Sequence, residues 1–183
     1  MQSVALYTVG HSNRTDEALI ALLQSADLAT LVDVRANPAS SRHPQFASDT
    51  LRQALESNRI IYHWAGRQLG GLRQPRPDSP HIALDSDGFR GFADHMETAA
   101  FARGISQIIN LAMRSRTAIM CAEKLPENCH RSLIADYLTL RGIRVLHLIA
   151  PGEMRDHVLN PHTRTESGRL IYDRVAQRPL ELN

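Results

Sequence analysis

Five short runs rich in Val, Ile, Leu and Thr, at residues 5–9, 30–35, 60–64, 117–121 and 145–149, are largely apolar on both faces. They alternate with stretches whose apolar residues recur at helical spacing. A strand without a polar face must be covered on both sides, which is the condition of a buried parallel sheet. Strand alternating with helix implies βαβ units, right-handed crossovers and helices on both faces of the sheet. The predicted architecture is a single-domain, three-layer, Rossmann-like α/β fold with a mostly parallel sheet of about five strands.

The helical patterns carry their own start and stop signals. Leu19, Leu22, Leu23 and Ala26 follow Thr15, a good N-cap, with Asp16 and Glu17 in the first turn where the helix dipole favours them. Leu51, Ala54 and Leu55 repeat the pattern after Ser48 or Asp49. Phe101, Ile105, Ile108, Ile109 and Ala112 mark a longer helix, and Leu133, Ile134, Tyr137 and Leu138 a last one that ends at Gly142. These stripes are core rather than cofactor-binding surface. Residues 66–80, with three prolines and three glycines, read as a long loop, and loops of that length in compact domains are usually functional or mobile. The α/β domain is expected over residues 1–150. The polar remainder, 151–183, with one short strand at 169–172, is expected as a C-terminal extension packed on the same domain.

Composition excludes several classes. The 183 residues are 43% hydrophobic and 22% charged, as in ordinary globular domains. No apolar run approaches the roughly 20 residues of a membrane helix, so no membrane partner is expected. The first ten residues have neither a basic flank nor a cleavage pattern. With only Cys121 and Cys129 there is no disulfide scaffold, and a reducing cytoplasm is the expected setting. A net charge of +2 is too small to announce a nucleic-acid binder. Of the 21 basic residues only Lys124 is lysine. Compositional drift accounts for such a bias unless the arginines are placed where their planar fork can meet phosphate or carboxylate.

Their placement is asymmetric. The helix-to-strand connections are short and plain, whereas the strand-to-helix connections at 10–14, 36–43, 65–73 and 122–132 hold Arg14, Arg42, Arg67, Arg73 and Arg131, with Arg35 at a strand end. In a parallel sheet those connections all emerge at the carboxyl edge, where open α/β folds bind ligands. The segment from Cys121 to Ser132 is the sharpest signal. Cys121 closes a strand, Asn128 is placed to cap a helix, and Cys129, His130 and Arg131 would fill its first turn, where free N–H groups attract anions and lower a thiol's pKa. Gly10, His11, Ser12 and Asn13 form a second candidate cradle, with Gly10 allowing close backbone approach. Neither is a P-loop, since Gly-Lys-Ser/Thr is absent. A metal set drawn from Cys121, Cys129, His130 and His11 or His63 lacks the usual spacing, and no metal or cofactor is expected. Asp33 reads as a buried carboxylate paired with Arg35 or Arg131.

The segments Thr8-Val9-Gly10-His11-Ser12, Val32-Asp33-Val34-Arg35, Pro44-Gln45-Phe46, Leu69-Gly70-Gly71, Gly88-Phe89-Arg90-Gly91-Phe92 and Cys121-Ala122-Glu123…Cys129-His130-Arg131-Ser132 occur in order between about residue 6 and residue 150. In these motifs the chain resembles the domain of unknown function 488 family. The resemblance implies an α/β fold but no reaction; Phe92 stands where it leads one to expect tyrosine in many relatives, removing a hydroxyl. A looser similarity to rhodanese and cysteine-phosphatase folds fails at the cysteine loop, because the Cys121-to-Arg131 spacing is too long and Cys129-to-Arg131 too short.

Two functions are weighed. The first is an enzyme acting on a phosphorylated or other anionic small molecule, a nucleotide among the candidates. Cys129 or Cys121 would be the nucleophile, with His130, His11 or Glu123 moving protons and Gly10, His11, Ser12, Arg14, Arg35, Arg131 and Ser132 holding the anion. The second is a non-catalytic nucleotide- or nucleic-acid-binding module using the same arginines; the low net charge weighs against extended duplex binding. For Arg131 the expected partner is an anionic ligand, the alternative an internal carboxylate such as Asp33 or Glu123.

Overall fold

The computed structural model describes residues 4–39 and 41–174. Six strands form the central sheet: β1 (Ala5–Gly10), β2 (Thr30–Asp33), β3 (Ile61–Trp64), β4 (Thr117–Cys121), β5 (Arg144–Ala150) and β6 (Glu153–Asp156), in the spatial order β3-β2-β4-β1-β5-β6. The first five are mutually parallel, and β6 returns antiparallel to β5 through a turn in which Gly152 takes a φ of 74°. The alternation inferred from the apolar runs thus yields the mostly parallel sheet it requires, with one more strand than expected. The extra strand is exposed along its whole length, so it carries no apolar signature.

Side-chain alternation divides the core in two. Leu6, Val32, Ile119 and Cys121 point to one face, under α4 (Asp87–His95), α5 (Ala99–Arg114) and α6 (Arg131–Thr139). Tyr7, Val9, Leu31, Ala118 and Met120 point to the other, under α1 (Asp16–Ser25) and α2 (Ser48–Ser57). This is the three-layer arrangement, sheet between helices. Thr15 caps α1, its hydroxyl accepting from the Ala18 N–H at 3.1 Å. At α2 the expectation is corrected: the helix begins at Ser48 after Ala47, with no side-chain cap. The expected loop at 66–80 opens with one helical turn, α3 (Gly66–Leu69), and α4 follows further on, capped by Ser86. After β6 come β7 (Thr163–Glu166) and β8 (Arg169–Tyr172), an antiparallel pair, of which only β8 was legible as a strand. Its Tyr172 is fully buried in the first core cluster. The expected tail beyond 174 lies outside the described residues. Among those described, no helix is long and apolar enough to cross a membrane.

The chain leaves β1 toward β2 through α1 on one face, and leaves β4 toward β5 through α6 on the opposite face. Neighbouring strands whose connections diverge in this way open a crevice between their carboxyl ends. That crevice lies where β1 meets β4, at Gly10 and Cys121.

Candidate functional site

The loops after β1 and β4 are laced together. The His11 N–H donates to the Cys121 carbonyl at 3.0 Å and the Ser12 N–H to the Ala122 carbonyl at 2.8 Å. Ser12 bends in the left-handed region to do so, with φ 53°. A Cβ on Gly10 would stand 1.7 Å from the Glu123 carbonyl oxygen. The close backbone approach expected of Gly10 is therefore real, but it is made to the cysteine loop. Beside this seam lies a cleft of about 430 Å³. All four residues expected to carry chemistry, Cys121, Glu123, Cys129 and His130, line it. Of the seven expected to hold an anion only Arg35 does; Gly10, His11, Ser12, Arg14, Arg131 and Ser132 are absent from its wall. The opposite wall comes from Asn37, Leu72, Ser86 and Phe89. Sequence reasoning missed these, although Phe89 sits inside a quoted motif.

The sulfurs of Cys121 and Cys129 meet at the floor of the cleft, as a disulfide-type pair with Cα atoms 7.4 Å apart. That separation is wider than the roughly 4.4–6.8 Å of relaxed disulfides. The two residues are 2% and 6% exposed, and both line the cleft. One expectation about this segment is corrected. Residues Pro126–Asn128 form a single 3-10 turn and α6 begins at Arg131, so Asn128 caps nothing and Cys129 precedes the first turn. The helix end still serves the thiol, because the Arg131 backbone N–H points at Cys129 Sγ at 3.5 Å.

His130 stands against both walls of this floor. Its Nε2–H donates to the Val34 carbonyl at 3.2 Å, which leaves the Nδ1 lone pair directed at Cys129 Sγ, 3.5 Å away. Phe92 packs edge-on against its ring, with the centroids 4.9 Å apart. Burial pushes the His130 pKa down to about 4, with the nearby Arg131 and Arg73 charges adding to the effect. At neutral pH the ring is an uncharged acceptor.

The arginines behave differently from the expectation. Arg131 is fully buried. Its guanidinium donates to Cys121 Sγ at 2.6 Å, to the Glu123 carbonyl at 2.5 Å, to the Lys124 carbonyl at 2.7 Å and to Thr8 Oγ1 at 3.3 Å. Neither of the internal carboxylates offered as its partner, Asp33 or Glu123, receives these donors. Burial lowers its pKa to about 10, so it remains a cation at neutral pH. Arg14 is spent on the Gly10 carbonyl at 2.6 Å and on that of Ile149. Arg35 clamps Asp33 with Nε at 2.9 Å and NH2 at 2.6 Å, while Tyr62 donates to the same carboxylate at 2.7 Å. Asp33 is thus the buried, paired carboxylate that the sequence suggested. Arg35 also donates to His11 Nε2 at 3.3 Å, and the Nδ1–H of His11 is taken by the Ser12 carbonyl at 2.8 Å. Desolvation holds the His11 pKa down to about 4. It braces the seam from behind.

A second polar chain runs away from the cleft behind Arg131. Thr8 Oγ1 receives Arg131 Nε–H and lies 2.7 Å from His147 Nδ1. His147 Nε2 is 2.9 Å from His157 Nδ1, and His157 Nε2 is 2.9 Å from Asp136 Oδ1. Since guanidinium can only donate and a carboxylate can only accept, one set of proton positions satisfies every link. Each hydroxyl or imidazole N–H donates toward Asp136. Tyr172 OH closes the chain on Asp136 Oδ2 at 2.9 Å. Ser132 faces this back region and lines a separate pocket of about 510 Å³ with His147 and His157. Among the described residues no group of three or more His, Cys, Asp or Glu is placed to hold a metal ion.

Fold and site together define a three-layer α/β protein with a paired-cysteine cleft at the switch point of its parallel sheet. Residues 15–138, more than half of the chain, match the family described as domain of unknown function DUF488, and the chain belongs to that family. The matched span holds both cysteines, His130 and Arg131, and ends before His147. No curated protein and no solved structure matches the chain.

Proposed function

We propose that the cleft is the active site of a cysteine-dependent enzyme acting on a small, negatively charged molecule, with Cys129 as nucleophile. The observation that carries this reading is the environment of its sulfur. It lies on the cleft floor with an imidazole Nδ1 at 3.5 Å whose other nitrogen is anchored on a carbonyl, and a backbone N–H at the same distance. Nucleophile, acceptor and orienting group in series are the arrangement that activates a thiol. In reduced protein His130 takes the proton in transit, since an imidazole with a pKa of about 4 does not store it. The Cys129 thiolate is held by the Arg131 backbone N–H and by the field of the buried Arg131 cation behind it, whose side-chain partners besides Cys121 Sγ are neutral oxygens. The same positive interior favours an anionic substrate over a cationic one, and Arg35 brings a second guanidinium to the wall. A purely binding role for the arginines is less well supported, because the donors it would use are largely occupied within the fold.

The test is alkylation of the dithiol-reduced protein by iodoacetamide as a function of pH. Cys129 is expected to react well below pH 8, where an ordinary thiol of pKa about 8.5 is slow, and Arg131→Met is expected to move that reactivity upward. Labelling of Cys129 with the pH profile of free cysteine would refute the nucleophile assignment.

A further inference from the structure

The mechanism above uses one sulfur, and the second is unexplained by it. A single nucleophilic thiol gains nothing from another in contact with it, and Cys121 is the sulfur that Arg131 holds. We infer that the two cysteines act as a dithiol pair that reduces small-molecule disulfides, with Cys129 attacking and Cys121 resolving; this rests on the nucleophile reading above.

The assignment of roles follows from position. Cys129 is the more exposed of the two and has the imidazole acceptor beside it. Cys121 lies deeper, at the end of β4, with a guanidinium nitrogen 2.6 Å from its sulfur. In the first step the Cys129 thiolate attacks one sulfur of R–S–S–R. A Cys129–S–S–R bond forms, the substrate S–S bond breaks, and RS⁻ leaves and takes up the proton released by Cys129. In the second, the Cys121 thiolate attacks Cys129 Sγ, the mixed disulfide breaks, and a second RS⁻ departs with the remaining proton. The substrate gains two electrons and two protons, the protein loses them as the Cys121–Cys129 disulfide, and an external dithiol restores the pair. Exchange of this kind needs the attacking sulfur beside the sulfur it attacks and runs fastest through a thiolate. The contact between the two sulfurs supplies the first condition and Arg131 the second. The two sulfurs face each other with the Cα atoms 7.4 Å apart, so the resolving sulfur is already beside the sulfur it must attack. The wall opposite the sulfurs, with Leu72 and Phe89 among polar neighbours, accepts the organic part of such a molecule.

The experiment treats reduced protein with glutathione disulfide or with the uncharged hydroxyethyl disulfide, quenches with acid at intervals and reads intact mass. The parent is expected to pass through a short-lived adduct and end two hydrogens lighter, with no label left. Cys121→Ser is expected to stop at the mixed disulfide on Cys129, and its adduct to outlive the parent's by more than about tenfold, since exchange is then left to external thiols. The inference is overturned if the parent keeps the adduct, or if Cys129→Ser rather than Cys121→Ser traps it. The two layers separate cleanly. Fast alkylation of Cys129 without internal disulfide formation refutes the dithiol role alone, whereas two thiols that alkylate like free cysteine refute both. The parent's time course requires no variant, so the outcome does not depend on a substituted protein folding.

Discussion

Asp136→Ala is expected to destabilise the fold by about 3–4 kcal/mol, and the magnitude follows from counting donors. Asp136 is 1% exposed and accepts from His157 Nε2, the Asn160 backbone N–H and Tyr172 OH, each at 2.9 Å. A buried donor left without an acceptor costs about 1–3 kcal/mol. Tyr172 is wholly buried within the core and has no access to water, so its hydroxyl sits in the upper part of that range. His157 and Asn160 line the back pocket of about 510 Å³, where water can replace the carboxylate, so each is placed near 1 kcal/mol. Relief from burying a carboxylate offsets part of the sum. For a chain of this length the loss corresponds to a fall in Tm of about 10 °C. Urea unfolding of the parent, Asp136→Ala, Tyr172→Phe and the double variant completes a cycle. Tyr172→Phe alone is expected to cost about 1–2 kcal/mol, but to recover part of the loss once Asp136 is gone, because it then removes the hydroxyl left without an acceptor. Additive losses, or a loss for Asp136→Ala below about 1 kcal/mol, would refute the role of Asp136 as the shared buried acceptor.

Two further outcomes are expected. Gly10→Ala forces a methyl group against the Glu123 backbone, so the loop that supplies two of Arg131's carbonyl acceptors must move; a loss of more than about 2 kcal/mol and slower alkylation of Cys129 are expected in melting and labelling assays, and a variant matching the parent would refute the seam. On acidification, burial holds the folded pKa values of His11 and His130 at about 4 and of His147 at about 3, below the roughly 6.5 of the unfolded chain, so their contribution is complete above pH 6.5 and is lost as pH falls toward 4; a urea midpoint that stays flat between pH 7 and 4.5 would overturn this.

The fold was legible because its signal is physical and local. Strands such as 117–121 must be apolar on both faces if both faces are covered, and the composition of Thr117–Cys121 states this directly. The strand Glu153–Asp156 escaped for the converse reason: an exposed edge strand is held by backbone bonds to Arg144–Ala150 and by a surface pair between Arg144 and Asp156, neither of which asks for apolar side chains. In the site, the carboxyl-edge rule placed Cys121, Glu123, Cys129 and His130 together, because chain direction fixes where strand-to-helix loops emerge. That rule says which edge a residue occupies but not which way its side chain turns. Ser132 follows Arg131 in the chain yet faces the back pocket. Phe89 and Leu72 reach the cleft from the stretch between Ile61–Trp64 and Ala99–Arg114, whose path no periodicity encodes.

The arginines show how far residue type alone can carry a functional reading. A guanidinium suits phosphate because it is a fixed fork of donors, and for the same reason it suits a cluster of backbone carbonyls or a buried carboxylate. Arg14 and Arg131 take the first course and Arg35 the second, and together they tie the loops after three strands into one rigid floor. What then remains for chemistry is the charge rather than the donors. A cation with a pKa near 10, sealed behind two sulfurs and bonded to neutral oxygens, keeps its field directed at whatever anion forms in front of it. On the proposed reading that anion is the thiolate of the reduced cysteine pair. The arginine bias of the sequence is thus linked to the cysteines: the arginines set the electrostatics of a thiol cleft that only the folded chain assembles.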